Sequence, residues 1–431
     1  MDGKKRILIS ECKSYLKQTV TLKGWVHRVR HLGNISFLLL KDRSGEIQCV
    51  LEQQLAGYKV ENESAVQIKG IVQETSKQKN RMEILIKEID LLSPSARLPF
   101  EVNKKEINAG LEIILNNRMV SLRNNRTRSI FKIKSELVKS FSDFLRNHGF
   151  TQIFTPKIVA QGAEGGADVF NLDYFGKEAF LAQSPQFYKQ SMMAAGLERV
   201  FEVAPVYRAE EHNSSRHLNE YISLDLETAF IENMDELMQL EIKLLNYMFS
   251  FIQEQCKEEL ELLEVKVTQF TDIPKLTLKE AQEILLKEYK KESPPGDLDT
   301  EGEKLIGQYI EKNHQSEFVF ITKYPKENRP MYTMPCSENP ALTNSFDLLY
   351  KGLEITSGGQ RIHNKEMLIH SFKEKGLSIE NFSSYVDLFN YGVPPHGGFA
   401  IGLERLTAKL LGLTNVREAS AFPRDINRLT P

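Results

Sequence analysis

Tyr207-Arg208-Ala209-Glu210-Glu211-His212-Asn213-Ser214-Ser215-Arg216-His217-Leu218 sets an arginine near each end of a short polar loop. A β-like run at residues 200–207 leads into it, and another at 223–230, carrying Asp225 and Glu227, leads away. Two such runs around a polar segment predict neighbouring strands with the loop at their end. Paired arginines suit a polyphosphate, because guanidinium binds phosphate oxygens bidentately and stays protonated. A surface hairpin with ion pairs explains the same residues, so the stretch takes its meaning from its surroundings.

Two further clusters lie downstream. In Gly352-Leu353-Glu354-Ile355-Thr356-Ser357-Gly358-Gly359-Gln360-Arg361, Glu354 and Ser357 offer oxygen ligands for Mg²⁺, and the paired glycines admit a ligand close to the backbone. The cluster lacks the Lys-Ser/Thr ending of a P-loop. Gly397-Gly398-Phe399-Ala400-Ile401-Gly402-Leu403-Glu404-Arg405-Leu406 reads as a strand running through glycine into an apolar helix. Arg405 then falls in the first helical turn, where the helix dipole disfavours a cation, and this points to an anion partner.

Outside these clusters a strong helical pattern begins at Ile130, repeats through Ile133, Leu137, Phe141, Phe144 and Leu145, and stops at Gly149. Strand-like runs at 150–154, 179–182, 318–321, 346–350 and 398–401 are scattered between helices. An α+β domain on a mostly antiparallel sheet is expected. A more helical stretch at about 265–330, with a Thr277/Glu280 capping box and a break at Pro294-Pro295-Gly296, reads as an insertion on that sheet.

Five β-like runs occupy residues 20–30, 34–41, 46–51, 66–74 and 82–92. They fit a small five-stranded barrel, for which an OB-fold is the natural candidate. Ile35, Phe37 and Leu39 share one face, so Phe37 is either core or surface depending on register. On the surface, Phe37 would stack on a base, Arg28 and Arg30 would neutralise phosphate, and Gln48 would read a base edge. Residues 1–100 hold 17 Lys/Arg against 11 Asp/Glu, while the whole chain holds 56 against 58, so a basic module is joined to an acidic body. That imbalance suits nucleic-acid binding and also an ordinary solvated surface. Pro94 and Pro99 close the strand pattern. The expected organisation is a barrel over 1–95, a linker over 96–125 and the larger domain over 126–431.

A chain of 431 residues has room for two or three cores. With 41% hydrophobic and 26% charged residues, it falls outside the disordered and membrane classes. The N-terminal stretch is too weakly apolar for a secretory signal, and a cytoplasmic protein is expected. Cys12, Cys49, Cys256 and Cys336 are widely separated, which suggests neither a zinc site nor a disulfide framework.

The ordered trio of clusters resembles the aspartyl-tRNA synthetases of the archaeal type, class II enzymes of subclass b, over essentially the whole length. Phe154-Thr155-Pro156 is similar to the first class II motif, residues 201–230 to the second, and Gly402-Leu403-Glu404-Arg405 to the third. The resemblance implies a homodimer with Pro156 at its interface. It implies ATP contacts by Arg208, Ala209, Glu210, Arg216, His217, Leu218, Glu354, Gly402, Leu403, Glu404 and Arg405, with Arg208, Glu354 and Arg405 as catalytic residues. Mg²⁺ would be held by Glu354 and Ser357. Aspartate would meet Glu164, Gln186, Lys189, Arg208, Asp347, Ser357 and Arg361. The anticodon would meet His27, Arg28, Arg30, Phe37 and Gln48.

Lys189, in Gln183-Ser184-Pro185-Gln186-Phe187-Tyr188-Lys189, favours a substrate carboxylate, and a buried charge facing asparagine's amide would go unpaired. His27 stands where strictly discriminating members resemble one another in having tryptophan, which implies an enzyme that charges both tRNA(Asp) and tRNA(Asn). His27 as a tolerated variant stays open. An asparaginyl-tRNA synthetase, a retired paralogue acting only as an RNA-binding protein, and an asparagine synthetase acting without tRNA are the competing readings.

Overall fold

Thr19–Leu32 (β1), Ile35–Asp42 (β2), Gly45–Leu51 (β3), Ala65–Glu74 (β4) and Met82–Ser93 (β5) close into a barrel in the order β1-β2-β3-β5-β4. The computed structural model describes residues 5–33, 35–51, 60–75, 81–163, 168–211 and 214–431, and divides into two compact units, Met1–Thr127 and Arg128–Pro431. In the first unit, strand alternation fills the barrel: Leu38, Leu40, Val66, Ile68 and Ile84 are buried together. Ile35, Phe37 and Leu39 alternate with them and stand outside. Where β4 crosses β5, a Cβ on Gly70 would meet the Leu85 carbonyl oxygen at 2.5 Å, so glycine lets the strands close. A bulge between Val26 and Arg28 turns Val26 and His27 inward and brings Arg28 and Arg30 opposite the outer residues Leu39 and Phe37.

The second unit is built on an eight-stranded sheet. Asn125–Asn147 (α1) starts earlier than expected from Ile130 and buries Ile133, Leu137, Phe141 and Leu145. Gly149, at φ 81°, ends the run in a conformation that side chains rarely adopt. The strand expected at 150–154 shortens to Thr151–Gln152 (β6), and beyond it the Thr155 amide donates to the Glu202 side chain at 3.0 Å instead of to the backbone of a neighbouring strand. Ile158–Val159 (β7), Asn171–Tyr174 (β8) and Lys177–Leu181 (β9) make a separate small sheet.

Gln186–Met192 (α2) precedes Arg199–Tyr207 (β10) and Glu220–Ala229 (β11), and Met234–Gln255 (α3) follows them. The remaining strands are Lys275–Thr277 (β12), Phe318–Thr322 (β13), Ser345–Tyr350 (β14), Leu353–Arg361 (β15) and His396–Gly402 (β16). Sheet order is β12-β13-β14-β15-β16-β11-β10-β6, antiparallel except at the β12/β13 and β10/β6 pairs. Leu237, Ile242, Leu245 and Phe249 of α3 bury one face of this sheet against Leu226, Phe346 and Phe399. The segment expected as a helical insertion supplies β12, Leu278–Tyr289 (α4), Thr300–His314 (α5) and β13. It therefore completes the edge of the main sheet as well as adding helices to it. Thr277 caps α4 as expected, accepting from the Glu280 amide at 3.2 Å while Glu280 accepts from the Thr277 amide at 2.7 Å. Leu403–Leu411 (α6) leaves the end of β16.

Candidate active site

Period two decides what faces the cavity. In β11, Leu224 and Leu226 enter the core, while Ser223 and Asp225 face a cavity of about 600 Å³. Register places Asp347 of β14, Ser357 of β15, Ala400 of β16 and Asp225 in one row across the sheet.

At one end of the cavity two cations meet two carboxylates. Lys189 of α2 is 1% exposed, with Nζ 3.0 Å from Asp225 Oδ1 and 3.4 Å from Glu227 Oε2. Arg361 donates through Nε to Glu227 Oε1 at 3.0 Å and through Nη2 to the Gly398 carbonyl at 3.0 Å. Burial would raise the Glu227 pKa, but Arg361 and Lys189 hold it below the usual carboxylate range. A Cβ on Gly398 would collide with that carboxylate, so glycine makes the pairing possible.

Behind this group, His396 lies with Nδ1 2.8 Å from the Pro394 carbonyl and Nε2 2.8 Å from Gln190, whose Oε1 accepts from Tyr385 at 2.9 Å. Burial pushes the His396 pKa down to about 4, so the imidazole is neutral and adds no third positive charge. Gln186 is on the cavity wall, and its buried Nε2 has no hydrogen-bond partner among the described residues. Such a donor fits a ligand oxygen.

The other end is cationic. Asn219 closes the arginine loop by donating to the carbonyls of Arg208 at 2.7 Å and Glu210 at 3.0 Å. Arg208 Nη1 is 3.6 Å from Glu210 Oε1, and the guanidinium lies over the Tyr221 ring. His217 Nδ1 is 2.6 Å from Ser214 Oγ, and Arg216, Leu218 and Gly402 are also on the wall. Arg405, in the first turn of α6, donates to the carbonyls of Glu354 at 3.0 Å and Arg216 at 3.3 Å.

Glu354 is the meeting point. Burial would raise its pKa, yet Arg405, the Ser357 hydroxyl, Arg329 and Arg208 together lower it. Ser357 Oγ stands 2.8 Å from Glu354 Oε1 and 2.8 Å from Asp347 Oδ1, although a hydroxyl has one proton to give. Burial raises the Asp347 pKa, so a carboxyl proton can serve the second contact, and the Glu354 and Ser357 oxygens are hard donors of the kind that fit a magnesium ion. Among the described residues no group of three or more His, Cys, Asp or Glu converges on a metal position. Asp347 itself is buried beneath the wall and is braced by Arg329 at 2.6 Å.

Three expected ATP residues have their side chains or amide engaged within the fold. Leu403 is in the hydrophobic core, because the first turn of an amphipathic helix must bury one side. Ala209 is off the cavity wall, with its amide donating to the Asp168 carbonyl at 2.7 Å. Glu404 borders the cavity, but its oxygens are engaged by Lys134 Nζ at 2.6 Å and the Ile222 amide at 3.0 Å. Glu164 falls outside the described residues. Pro156 is exposed between Phe154 and Ile158, themselves 84% and 50% exposed.

On the barrel, register resolves the choice over Phe37. Arg30, Phe37 and Val50 form one outer row, and Arg28, Leu39 and Gln48 the next. Gln48 donates to Glu83 at 2.8 Å, and Arg28 to the Asn103 carbonyl at 2.6 Å. His27 does not join this face, contrary to expectation. The β1 bulge turns it inside, where it is 4% exposed with Nδ1 2.7 Å from Glu63 Oε1. Arg123 in turn pairs with Glu63 at 3.3 Å and lies over Trp25.

Sequence reasoning assigned no role to Arg329, Glu303 or His396. The sequence marks Asp225 and Glu227 only as part of a β-like run, and the other three sit in a loop, a helix start and a strand end without a local pattern. Glu303 of α5 is bonded to Arg216, and burial together with the nearby Glu354 raises its pKa to about 7.

Residues 110–426 match the family model for class II tRNA synthetases (D, K and N), and residues 20–92 match that of the OB-fold nucleic acid binding domain. An aspartate–tRNA(Asp/Asn) ligase of Thermus thermophilus is 49% identical, the match covering 99% of this chain and all of that protein. An aspartate–tRNA(Asp) ligase of Pyrococcus furiosus is 44% identical over 96% of each chain. Among solved structures, asparaginyl-tRNA synthetase from Pyrococcus horikoshii complexed with asparaginyl-adenylate superimposes with a TM-score of 0.92 at 28% identity, covering 99% of this chain and all of that one.

Proposed function

Because this chain belongs to the class II tRNA synthetases of the D, K and N group, with an OB-fold nucleic acid binding domain ahead of the larger domain, we propose that it is an aspartate–tRNA ligase that charges both tRNA(Asp) and tRNA(Asn). The observation that carries the choice of aspartate is the convergence of Lys189 and Arg361 at one end of a cavity whose other end holds Arg208, Arg216 and Arg405. A carboxylate side chain placed at Lys189 and Arg361 leaves the substrate's α-carboxylate free to reach an ATP phosphate.

The first step needs alignment more than proton transfer. The α-carboxylate is already ionised, so it attacks the α-phosphorus without a general base, an acyl-phosphate bond forms and pyrophosphate leaves. Arg208 neutralises charge on the α-phosphate and the attacking carboxylate, Glu210 faces the adenine, and Arg216, His217 and Arg405 hold the outer phosphates. Glu354 and Ser357 would hold Mg²⁺, which draws charge from the phosphates when bound. Gln186 supplies a donor to the amino acid. In the second step the terminal tRNA hydroxyl attacks the acyl carbon and AMP leaves.

Anticodon recognition falls to the outer barrel face, with Phe37 stacking on a base, Gln48 reading its edge, and Arg28 and Arg30 meeting phosphate. Breadth toward tRNA(Asn) rests on His27, which acts on that face from inside the barrel. Exposed Phe154 and Ile158 around Pro156 support a homodimer, since apolar side chains so open to water suit an interface. Among the described residues no helix is long and apolar enough to cross a membrane, and the work of the enzyme belongs to the cytoplasm.

The test is aminoacylation of separate tRNA(Asp) and tRNA(Asn) transcripts with labelled aspartate and labelled asparagine. Aspartate on both is expected. Aspartate on tRNA(Asp) alone would remove the claim of breadth, and asparagine as the only amino acid accepted would overturn the reading of Lys189.

A further inference from the structure

We propose that Glu303 is a positioning residue for ATP, holding the guanidinium of Arg216 ready for the outer phosphates before the nucleotide arrives. The inference rests on the aspartate–ATP reading of the cavity. Its geometry is a closed ring of four residues. Both Glu303 oxygens accept from Arg216 Nη2, each at 2.7 Å, and Glu303 Oε2 also accepts from the Glu354 amide at 3.0 Å. Arg405 completes the ring through the carbonyls of Glu354 and Arg216.

The rest of the fold holds Glu303 in place. It lies in the first turn of α5, where the Asp299 side chain caps the helix by accepting from the Gly302 amide at 2.7 Å. One turn on, a Cβ at Gly307 would come within 2.6 Å of Gly352, so α5 is pressed against the turn that leads into Glu354. Gly352 has φ 68° and would meet Lys304 Cα at 2.8 Å, which keeps that contact glycine on glycine. Helix and strand thus present Glu303 to Arg216 at a fixed distance.

Arg216 itself shows what is left for a ligand. Glu303 engages Nη2, while Nε is buried on the cavity wall and has no hydrogen-bond partner among the described residues. A phosphate can take that donor without displacing Glu303. A long side chain ordered in advance loses less freedom on binding, so the carboxylate favours nucleotide binding despite its own negative charge.

ATP–pyrophosphate exchange with the full-length enzyme tests this. Glu303→Ala is expected to raise KM for ATP about tenfold while KM for aspartate holds, and Glu303→Gln, which keeps one acceptor, is expected to recover most of the loss. In an Arg216→Ala background, Glu303→Ala should add nothing further. An unchanged or lower KM for ATP in Glu303→Ala, or full additivity with Arg216→Ala, would overturn the inference. If the alanine variant fails to fold, the glutamine variant and its additivity with Arg216→Ala decide the matter in the same way. Absence of aspartate-dependent exchange in the unaltered enzyme would instead overturn the underlying reading, and this inference with it.

Discussion

Lys189 Nζ and Asp225 Oδ1 lie 3.0 Å apart and both side chains are buried, so the lysine expected to receive a substrate carboxylate also has an ion-pair partner within the chain. With Glu227 held by Arg361, two positive charges stand against two negative ones. On the proposed reading, a substrate carboxylate joins this balanced set at Lys189 and Arg361 without an excess of positive charge. Lys189→Met is expected to lower kcat/KM for aspartate by about 100-fold or more and to reduce thermal stability, because Asp225 is left buried without its cation. Exchange kinetics and a thermal melt on one preparation check both halves.

Arg361 calls for a planar donor. Lysine at that position keeps the charge but cannot serve Glu227 and the Gly398 carbonyl together. Arg361→Lys should lower kcat/KM for aspartate by about 10- to 100-fold, or ~1.4–2.7 kcal/mol, and leave KM for ATP unchanged. A parallel rise in both KM values would count against a role confined to the amino acid.

Glu241 of α3 is fully buried on the core side of the sheet, and burial lifts its pKa to about 8. In the unfolded chain the same carboxyl ionises near its ordinary value of 4.5. Its contribution to stability is therefore greatest below that value and is lost as pH rises through 8, by ~1.4 kcal/mol per unit between the two. Glu241→Gln should flatten this loss and leave the protein more stable than the parent at pH 8.5. Urea unfolding at several pH values reads the slope directly.

His396 works in the opposite sense. Its pKa is pushed down to about 4 by burial, against an ordinary value of 6.5. The stability this neutral imidazole contributes is present above 6.5 and lost as pH falls through 4, since the unfolded chain takes up the proton first. His396→Gln is expected to remove that acid limb, seen in melts between pH 7 and 4.

On the barrel, Phe37→Ala should lower kcat/KM for tRNA by about 10- to 100-fold, in line with the 1–3 kcal/mol of a lost base stack. ATP–pyrophosphate exchange, which needs no tRNA, should be untouched. Loss of both would mean that Phe37 supports the fold of the barrel.

Much of this architecture can be read along the chain. All five barrel strands fall on the runs expected for them to within one or two residues at each end, and the three clusters around Arg208, Glu354 and Arg405 do meet at one cavity. Phe37 could not be assigned to a face, because a strand pattern leaves open how one strand registers on the next, and the β1 bulge shifts that register. That the Leu403 side chain enters the core is likewise not legible, because a motif does not say which side of a helix turns inward. Glu303 and Arg329 reach the site from segments distant in sequence, and no local periodicity marks such an approach.

The bulge in β1 has one more consequence. By turning His27 into the barrel, it separates the residue proposed to set tRNA breadth from the outer face proposed to meet RNA. A change of tRNA preference at residue 27 would travel through Glu63, Arg123 and the lie of the outer strand, with every RNA-facing side chain kept. Lineages could widen or narrow their decoding in this way while their exposed barrel surfaces stayed identical, and comparing those surfaces alone would miss the difference.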